Sequence, residues 1–555
     1  MKKLFIILLI FVVSVFVRGQ IEFVDVGNPV YQFLDRMYAN KIIDDYNSFE
    51  KPLTRKKIGE LLTQIAARKS ELNSSDREAL VDLSGRYCFE IEGNTGCYQS
   101  LIATPTKENN GYNFLDDQEK YFFFYSQKDT LSLFINLIAN AEHIYTKRND
   151  ITNSAFLALF GGEVRGTLLN RLGFYFYGDN GNLSGDKEVG ESIDFLKYNY
   201  KFNEKDDQSF YDRTYGYVNL DFDLVRFKIG NDTRKLGYGN LSPILNDPIV
   251  GQSYFDFNLN YKFLNFTFSH SKLMGNSKTI EDPVSGTINT VEEKFLTYHR
   301  IGFKVSDHVN FGIGEMIIYS NRGIDLSYIN PFSFYKTLEH QNRDRDNAML
   351  FFDIENRSIK GLRFFGTYLI DDINAGKIGT KWWGNQSMIH GGAHIYLLNK
   401  FLPLDLELEY LRISPYTYTH RINSNNFTNG GYILNGNVAP NSELFFTKIN
   451  YRFTPRIFLI LEFRYTEHGA NYNADSQKLV NVGGDASFGH RVGDSEESTF
   501  LEGFREYVRE FSVLLNYEPI RNVLISSRYY HQSGSYYKTG FNKNSYIESK
   551  ITIKI

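Results

Sequence analysis

Apolar and polar residues alternate in short runs from about Tyr121 to the last residue, Ile555. In one run Leu404, Leu406 and Leu408 interleave with acidic residues, and runs of the same kind recur along the chain. A period of two places the apolar side chains on one face of a β-strand and the charged side chains on the other. Roughly four hundred residues of this pattern predict a closed antiparallel barrel, with lipid outside and water inside.

The beginning of the chain has the order of a secretory signal peptide. Two lysines precede the apolar run 4–17, and we expect cleavage before Gln20. The run is shorter than the roughly twenty apolar residues that a spanning helix needs, and no other segment reaches that length. Such a chain crosses a membrane only with strands, in a barrel that pairs every backbone group. We therefore expect a signal peptide over 1–19 and, over 121–555, an all-β transmembrane barrel surrounded by the outer-membrane lipid of a Gram-negative-type bacterium.

The composition fits a barrel better than a helical membrane protein. The chain is 16% aromatic, with 39 Tyr and 47 Phe, yet its mean hydropathy is -0.35. Half of each barrel strand is polar, so a barrel does not raise the mean hydropathy as membrane helices do. The formal net charge of -4 gives no basic surface, so nucleic acid is not expected as a partner.

Residues 20–103 have a helical pattern instead. The first predicted helix has an apolar face, Thr54 is placed to cap the second, and Ser74 or Ser75 to cap the third. Short amphipathic helices can bury a shared core, so we predict a small helical module. Because the module directly follows the signal peptide, we expect it in the periplasm.

Two cysteines, Cys88 and Cys97, lie close together within this module. We expect a disulfide between them, because an exported chain enters an oxidising compartment. Two free thiols are the alternative. A metal site is the least favoured interpretation, since no His or Cys lies near them in the sequence, and no cofactor is expected.

A polar linker, 104–120, leads into the barrel. A core of about 435 residues, with strands of about ten residues, fits roughly 16 to 18 strands, and the even parity of bacterial barrels favours 18. Hairpins near 260–263, 450–453 and 516–519 each place an aromatic residue beside a short turn, as expected at a periplasmic rim. The longer polar stretches are assigned to outer loops: 179–194, 275–293, 422–441 and 470–502.

Motifs of known enzyme classes are absent from the sequence. It contains no Gly-x-Ser-x-Gly, His-Glu-x-x-His, phosphate-loop or Rossmann motif. Asp371 and Asp372 form a carboxylate pair, but neighbours in a strand point to opposite faces and do not converge. We interpret them as solvated charges and predict no catalytic residue and no enzyme activity.

Two segments, 330–347 and 415–442, combine aromatic rings with amides and charged groups. Apolar faces of sugars stack on aromatic rings, and sugar hydroxyls need paired donors and acceptors. The carbohydrate-binding candidates are Tyr335 and Glu339 in the first segment, and Tyr416, Tyr418, His420 and Arg421 in the second. The alternative is that these aromatic residues belong to the girdle at the membrane interface, and that the Asn-Gly pairs form turns.

Landmarks in a fixed order along the mature chain resemble the Wzi-like capsule assembly proteins. The landmarks are 51–55, 229–232, 236–239, 299–300, 330–331, 346–347, 369–372, 415–420 and 426–430. The resemblance implies a barrel of about eighteen strands with a periplasmic helical bundle. It also implies a lectin-like role in holding capsular or extracellular polysaccharide at the cell surface, without catalysis. Two alternatives stay open: an outer-membrane porin or solute channel, and a glycan-modifying barrel enzyme.

The helical module alone is also similar to an S-layer homology repeat, a type of module that binds cell-wall polymers. The similar positions are 23–26, Leu34, 42–43, Pro52, 54–55 and Ile58. This similarity implies first a helical fold and second a contact with peptidoglycan. The same helices are where we would expect export machinery to bind.

Overall fold

The computed structural model describes residues 20–93, 95–103, 112–190, 193, 196, 209–436, 438–474 and 478–555. The expected signal peptide, 1–19, and residues 104–111 of the expected linker lie outside these ranges. Eighteen antiparallel strands form a closed barrel in which the last strand pairs with the first. The predicted fold class and the favoured strand number are therefore confirmed.

The barrel strands are β1 Leu131–Arg148, β2 Ile151–Leu168, β3 Leu172–Gly185, β4 Phe210–Asp221, β5 Val225–Leu236, β6 Leu245–Tyr261, β7 Leu264–Asp282, β8 Gly286–Ser306, β9 Val309–Ser320, β10 Asn347–Asn356, β11 Leu362–Asp372, β12 Gln386–Ile395, β13 Leu404–Ile413, β14 Ser442–Thr454, β15 Ile457–Ala470, β16 Phe504–Ile520, β17 Val523–Tyr536 and β18 Gly540–Lys554. Shorter strands are Glu50–Lys51, Tyr98–Ser100, Glu119–Tyr121, Phe123–Gln127, Thr428–Asn429, Tyr432–Ile433, Tyr472–Asn473 and Leu479–Val480.

The barrel wall is polar inside and apolar outside, the reverse of a soluble protein. On β13 Glu407 and Glu409 are 7% and 4% exposed, whereas Leu408 between them is 39% exposed. The charged residues of the alternating pattern therefore point into the lumen, where they form ion pairs and hydrogen bonds. The apolar residues form the outer surface, as a lipid environment requires.

The N-terminal module contains helices α1 Val30–Ala39, α2 Arg55–Ala67, α3 Ser74–Arg86 and α4 Cys88–Glu92. Thr54 caps α2 as predicted, since its Oγ1 accepts a hydrogen bond from the Lys57 backbone N at 3.2 Å. The prediction for α3 was wrong by one residue. Asn73, and not Ser74 or Ser75, has the extended backbone of a cap, and its side chain accepts from the Asp76 N at 2.8 Å.

Cys88 and Cys97 form a disulfide whose Cα atoms lie 6.5 Å apart. The bond ties α4 to the strand Tyr98–Ser100 and lies in a small aromatic cluster with Tyr98 and Phe134. In the described parts of the chain, no helix is long and apolar enough to span a membrane.

The module sits in the mouth of the barrel, at the end where most strands are joined by short turns. Arg36 Nη1 lies 2.7 Å from Asp405 Oδ2 of β13, and Arg521 Nη2 lies 2.7 Å from Asp82 Oδ1 of α3. The strand Glu50–Lys51 pairs with the end of β5 inside the lumen. A cavity of about 390 Å³ remains between the module and the β14–β18 side of the wall.

The three aromatic hairpins of the sequence analysis all turn at this end. Lys262 and Phe263, between β6 and β7, border the module. Arg456 and Arg521, in the turns β14–β15 and β16–β17, contact Asp82 of α3. The short-turn rim is therefore also the rim that holds the helical module.

Two of the predicted outer loops are partly strand. Residues 179–185 continue β3, and 275–293 form the upper part of the β7–β8 hairpin, with Asp282 paired to Gly286. Both faces of this hairpin are exposed, so neither face needs apolar residues and the alternation that marks a membrane strand is absent. The remainder of the stretch 179–194 falls partly outside the described residues.

The connection between β9 and β10, residues 321–346, folds back over the outside of the barrel, and we call it the strap. It contains two short helices, Leu326–Ile329 and Tyr335–Gln341. Tyr328 and Tyr335 of the strap pack against outward-facing side chains of the wall: Phe295, Ile317, Tyr319 and Ala348. In the described loop residues, the other helical turns are Lys187–Gly190, Ala375–Lys377, Leu397–Lys400 and Asn423–Asn425.

Candidate functional site

The long connection 414–441, between β13 and β14, folds into the lumen at the end opposite the module. Phe427 and Leu434 are fully buried in the apolar core that fills this part of the barrel. Lys294 Nζ of β8 donates hydrogen bonds to Asn426 Oδ1 at 2.7 Å and to Thr428 Oγ1 at 3.0 Å. An Asn-rich segment that was expected to extend outward is therefore largely an internal plug.

A second connection, 237–244 between β5 and β6, also folds inward, and its backbone donates hydrogen bonds to Glu409. One carboxylate oxygen accepts from the Asn240 backbone N at 2.6 Å, and the other from the Leu241 backbone N at 2.9 Å. His390 Nε2 lies 3.0 Å from the second oxygen. Because Glu409 is almost fully buried, these donors replace the water that the charge would otherwise need.

His394, Glu407 and Glu409 offer three donor atoms within 4.8 Å of one another, which is the composition of a metal group. The Asn240 side chain already lies between the two carboxylates, because its Nδ2 donates to Glu407 at 2.6 Å and to Glu409 at 2.7 Å. We therefore interpret this group as a hydrogen-bond network that fastens the inward loop.

The predicted sugar-binding residues Tyr416 and Tyr418 are buried in this structure, at 1% and 0% exposure. The Tyr416 hydroxyl donates to the Asn481 carbonyl at 2.8 Å, and the Tyr418 backbone N donates to Asp371 Oδ2 at 2.5 Å. Both residues have positive φ, 62° and 73°, as in a tightly turned loop. They hold the plug in place, and a sugar would not reach their rings in this conformation. Sugar binding by them stays a prediction.

Tyr335 and Glu339 lie on the strap, against the outer wall of the barrel. The Tyr335 ring stacks on His299 at 4.3 Å and its backbone N donates to Glu315 Oε2 at 3.0 Å. Glu339 is buried and its carboxylate lies 2.8 Å from Lys336 Nζ. Both side chains are buried, so a sugar would not reach them in this conformation, and sugar binding by them stays a prediction.

His420 and Arg421 are the two predicted residues that stay at the surface of the mouth. His420 is partly exposed, and burial lowers its pKa, which favours the neutral form of the ring. Arg421 is exposed, and its Nη2 donates to the carbonyl oxygen of Arg343 at 2.9 Å and to that of Asp344. The two segments singled out in the sequence are thus joined in space, through a contact between loop 414–441 and the end of the strap.

Sequence reasoning missed an aromatic cluster beside His420. Trp382 and Trp383 have ring centroids 5.7 Å apart, and the Trp383 ring stacks on His490 at 3.9 Å with an interplanar angle of 4°. All three rings are partly exposed, and we call them the aromatic shelf. The available signal was simple: the two Trp residues of the whole chain are adjacent in one outer connection.

The aromatic shelf is held by polar groups that leave part of each indole accessible. Trp383 Nε1 donates to Glu496 Oε2 at 3.1 Å, and Lys377 Nζ lies 4.3 Å from the Trp382 ring centre. Buried Tyr416 lies beneath, 5.6 Å from Trp383. Partly exposed indole rings beside a carboxylate and an ammonium group offer apolar surface for a sugar and polar groups for its hydroxyls.

The shelf and His420 belong to one surface. A Cβ atom on Gly489 would lie 2.6 Å from the His420 carbonyl oxygen, so only glycine allows the shelf loop to approach this closely. An isolated bridge between Trp382 and Glu497 joins the two connections that carry the shelf. The mouth therefore presents aromatic rings next to His420 and Arg421.

Comparison with known proteins gives a structural match without a sequence match. No protein family and no curated protein matches the sequence. The structure superposes on Wzi of Escherichia coli with a TM-score of 0.57 at 11% identity, over 97% of this chain and 99% of that chain. The fold is the Wzi barrel fold. Wzi is described as an outer-membrane, carbohydrate-binding β-barrel involved in group 1 capsule assembly. At this identity the likeness to Wzi concerns the fold alone.

Two Pseudomonas aeruginosa barrels are more distant than Wzi. OccK5 (OpdH) and OpdQ each cover 76% of this chain, with a TM-score of 0.43 and identities of 10% and 9%. Each match includes 98% of the Pseudomonas chain.

Proposed function

We propose that this protein is a lectin-like outer-membrane barrel that binds capsular or extracellular polysaccharide and holds it at the cell surface, without catalysis. In this proposal lipid surrounds the barrel, the shelf faces the cell exterior and the helical module lies in the periplasm. The module is the proposed contact for peptidoglycan or for export machinery, in line with its similarity to an S-layer homology repeat.

The observation that carries the proposal is the aromatic shelf at the mouth of the barrel. The chain contains two Trp residues, and both indole rings are partly exposed beside charged groups on the outer connections. This is the chemistry that a neutral or charged sugar residue needs for stacking and hydrogen bonding. His420 and Arg421 extend the same surface and remain candidates.

The shared fold with Wzi supports the same proposal, since Wzi is described as carbohydrate-binding. The rival porin hypothesis needs an open lumen. In the described residues the module occupies one mouth, and the connections 237–244 and 414–441 occupy the lumen near the other. These obstructions favour a binding protein over a wide solute channel.

A single shelf would bind one sugar unit weakly. Many copies of the barrel and many repeats of one polymer give a much higher combined affinity, because each further contact is made at high local concentration. A retention role therefore does not require a deep sugar pocket.

The proposal is tested by measuring how much polysaccharide stays on cells and how much is shed. Deletion of the gene should raise the shed fraction, and the W382A/W383A variant should reproduce this effect at normal protein level. Phe541→Ala, which removes an exposed aromatic ring of β18 outside the shelf, is the matched control and should leave retention unchanged. Unchanged retention after deletion would overturn the proposal.

A further inference from the structure

The strap turns an apolar surface toward the membrane. Its inner side is buried on the barrel wall, whereas Ile324, Leu326, Phe332 and Phe334 are each more than half exposed. The Phe332 ring stacks on Phe266, near the start of β7, at 5.4 Å. The strap therefore descends from the outer rim almost to the short-turn end, within the depth of the lipid-facing band.

The wall beneath the strap is unusually polar for a lipid-facing surface. His299 Nε2 lies 3.1 Å from Glu315 Oε2, and His270 Nε2 lies 2.7 Å from the Tyr319 hydroxyl. All four side chains point outward, because they alternate with residues that line the lumen. Contact with lipid would leave such groups poorly solvated, so the strap supplies the apolar surface that this sector lacks.

Where the strap returns to the rim it presents cationic groups. Arg343 and Arg345 are exposed, and no carboxylate of the described residues forms an ion pair with either. Asp344 between them is also exposed and lies 3.9 Å from His340. Arg343 and Asp344 have positive φ, 65° and 50°, in a turn that Arg421 holds by donating to both carbonyl oxygens.

We propose that the strap and its rim form a docking surface for a phosphorylated lipid of the outer leaflet. Acyl chains would lie along Leu326, Phe332 and Phe334, and lipid phosphates would bind Arg343 and Arg345. The order of the protein groups complements such a lipid: apolar side chains lie within the membrane, and cationic side chains lie at its surface, where the lipid phosphates are. Guanidinium groups suit phosphate because they donate two parallel hydrogen bonds. The inference depends on the barrel lying in the outer membrane, and not on polysaccharide binding.

The test uses the full chain folded in neutral detergent and a fluorescent, diphosphorylated lipid A as the probe. R343Q/R345Q should weaken lipid binding by roughly tenfold or more, since each cation near an anionic lipid surface contributes substantially to affinity. The matched control R509Q/K543Q removes two exposed cations from the outward faces of β16 and β18, and it should change binding less than about threefold. Heat-dependent gel mobility shows whether each variant is folded.

A second variant tests the acyl contact. F332S/F334S should weaken binding of lipid A and of its dephosphorylated form, because both carry the acyl chains that would lie on these two rings. Equal losses in R343Q/R345Q and R509Q/K543Q would overturn the proposal, because the rim would then attract anions without a particular site. Displacement of lipid A by millimolar inorganic phosphate would also overturn it, since the site would then be one for a free anion.

Discussion

Glu409 is the side chain on which the inward loop 237–244 depends. It accepts from two backbone N–H groups and from Asn240 Nδ2, and it lies against His390, all away from water. Glu409→Ala would leave these donors without an acceptor. We expect it to lower the free energy of unfolding by about 3 kcal/mol, measured by urea titration in detergent.

The control for this prediction is Glu462→Ala on β15. Glu462 also points into the lumen, but its side chain is 35% exposed and lies 3.7 Å from Lys448 Nζ. Water can replace such a partner, so the expected change is below about 1 kcal/mol. Equal effects of the two substitutions would show that Glu409 is not the fastening point of the loop.

Asp35 of α1 makes the docking of the module sensitive to acid. Burial alone would raise its pKa, but Lys51 and Arg363 more than offset burial and lower the pKa from 3.8 to about 2. A depressed folded-state pKa stabilises the protein above the unfolded-state pKa, and this contribution is lost as the pH falls from about 4 to about 2. Its size is about 2 kcal/mol.

Asp35→Asn tests this linkage. The variant should be less stable than the parent at pH 6, and most of the difference should be lost near pH 2, where the parent carboxylate is protonated in the unfolded chain and half protonated in the folded protein. Urea midpoints at both pH values measure the effect. A difference that stays constant across this pH range would contradict the proposed role of the charge.

At the scale of elements, the cap of α2 is the contact best anticipated from the sequence. Thr54→Ala removes the acceptor for the Lys57 N–H and should cost about 1 kcal/mol of stability. Thr63→Ala in the same helix is the control. Its hydroxyl bonds back to the Gly59 carbonyl, a contact that contributes little, so alanine should be neutral within a few tenths of a kcal/mol. Similar losses would mean that Thr54 acts through packing.

The strands were predictable because a membrane wall imposes a strict period of two, as in Leu404 to Leu408. The strap was not predictable from this pattern. His270, His299 and Glu315 face outward and interrupt the apolar face of their strands, and only the structure shows that the strap covers them. The sequence of 321–346 does not say which surface it will cover. For the same reason, the sequence does not show that Tyr335 of the strap is buried against the wall, and sugar binding by Tyr335 stays a prediction.

Tyr416 and Tyr418 show a related limit. Tyrosine beside Asn and Arg has the same local sequence whether it stacks on a sugar or fastens a loop, and only the fold reveals that both rings are buried. Trp382 and Trp383 carried a clearer signal, since they are the two Trp residues of the chain and they are neighbours. Their partner His490 lies too far along the chain to be inferred from spacing.

For the whole molecule, the inserted module and the two inward loops predict low conductance. In a planar bilayer the parent protein should show few and small conductance steps. Arg36→Ala with Arg521→Ala removes two ion pairs between module and barrel, so it should make openings more frequent. Large, steady conductance of the parent would instead support the porin hypothesis.

The central claim, that the aromatic shelf holds polysaccharide, is tested most directly by equilibrium binding of purified cell-surface polysaccharide to the purified barrel. The parent should bind, and W382A/W383A should lose at least about tenfold in affinity, because stacking of a sugar-sized ring on each indole contributes on the order of 1 kcal/mol. Phe541→Ala should bind like the parent. Equal binding by the parent and W382A/W383A would contradict the account.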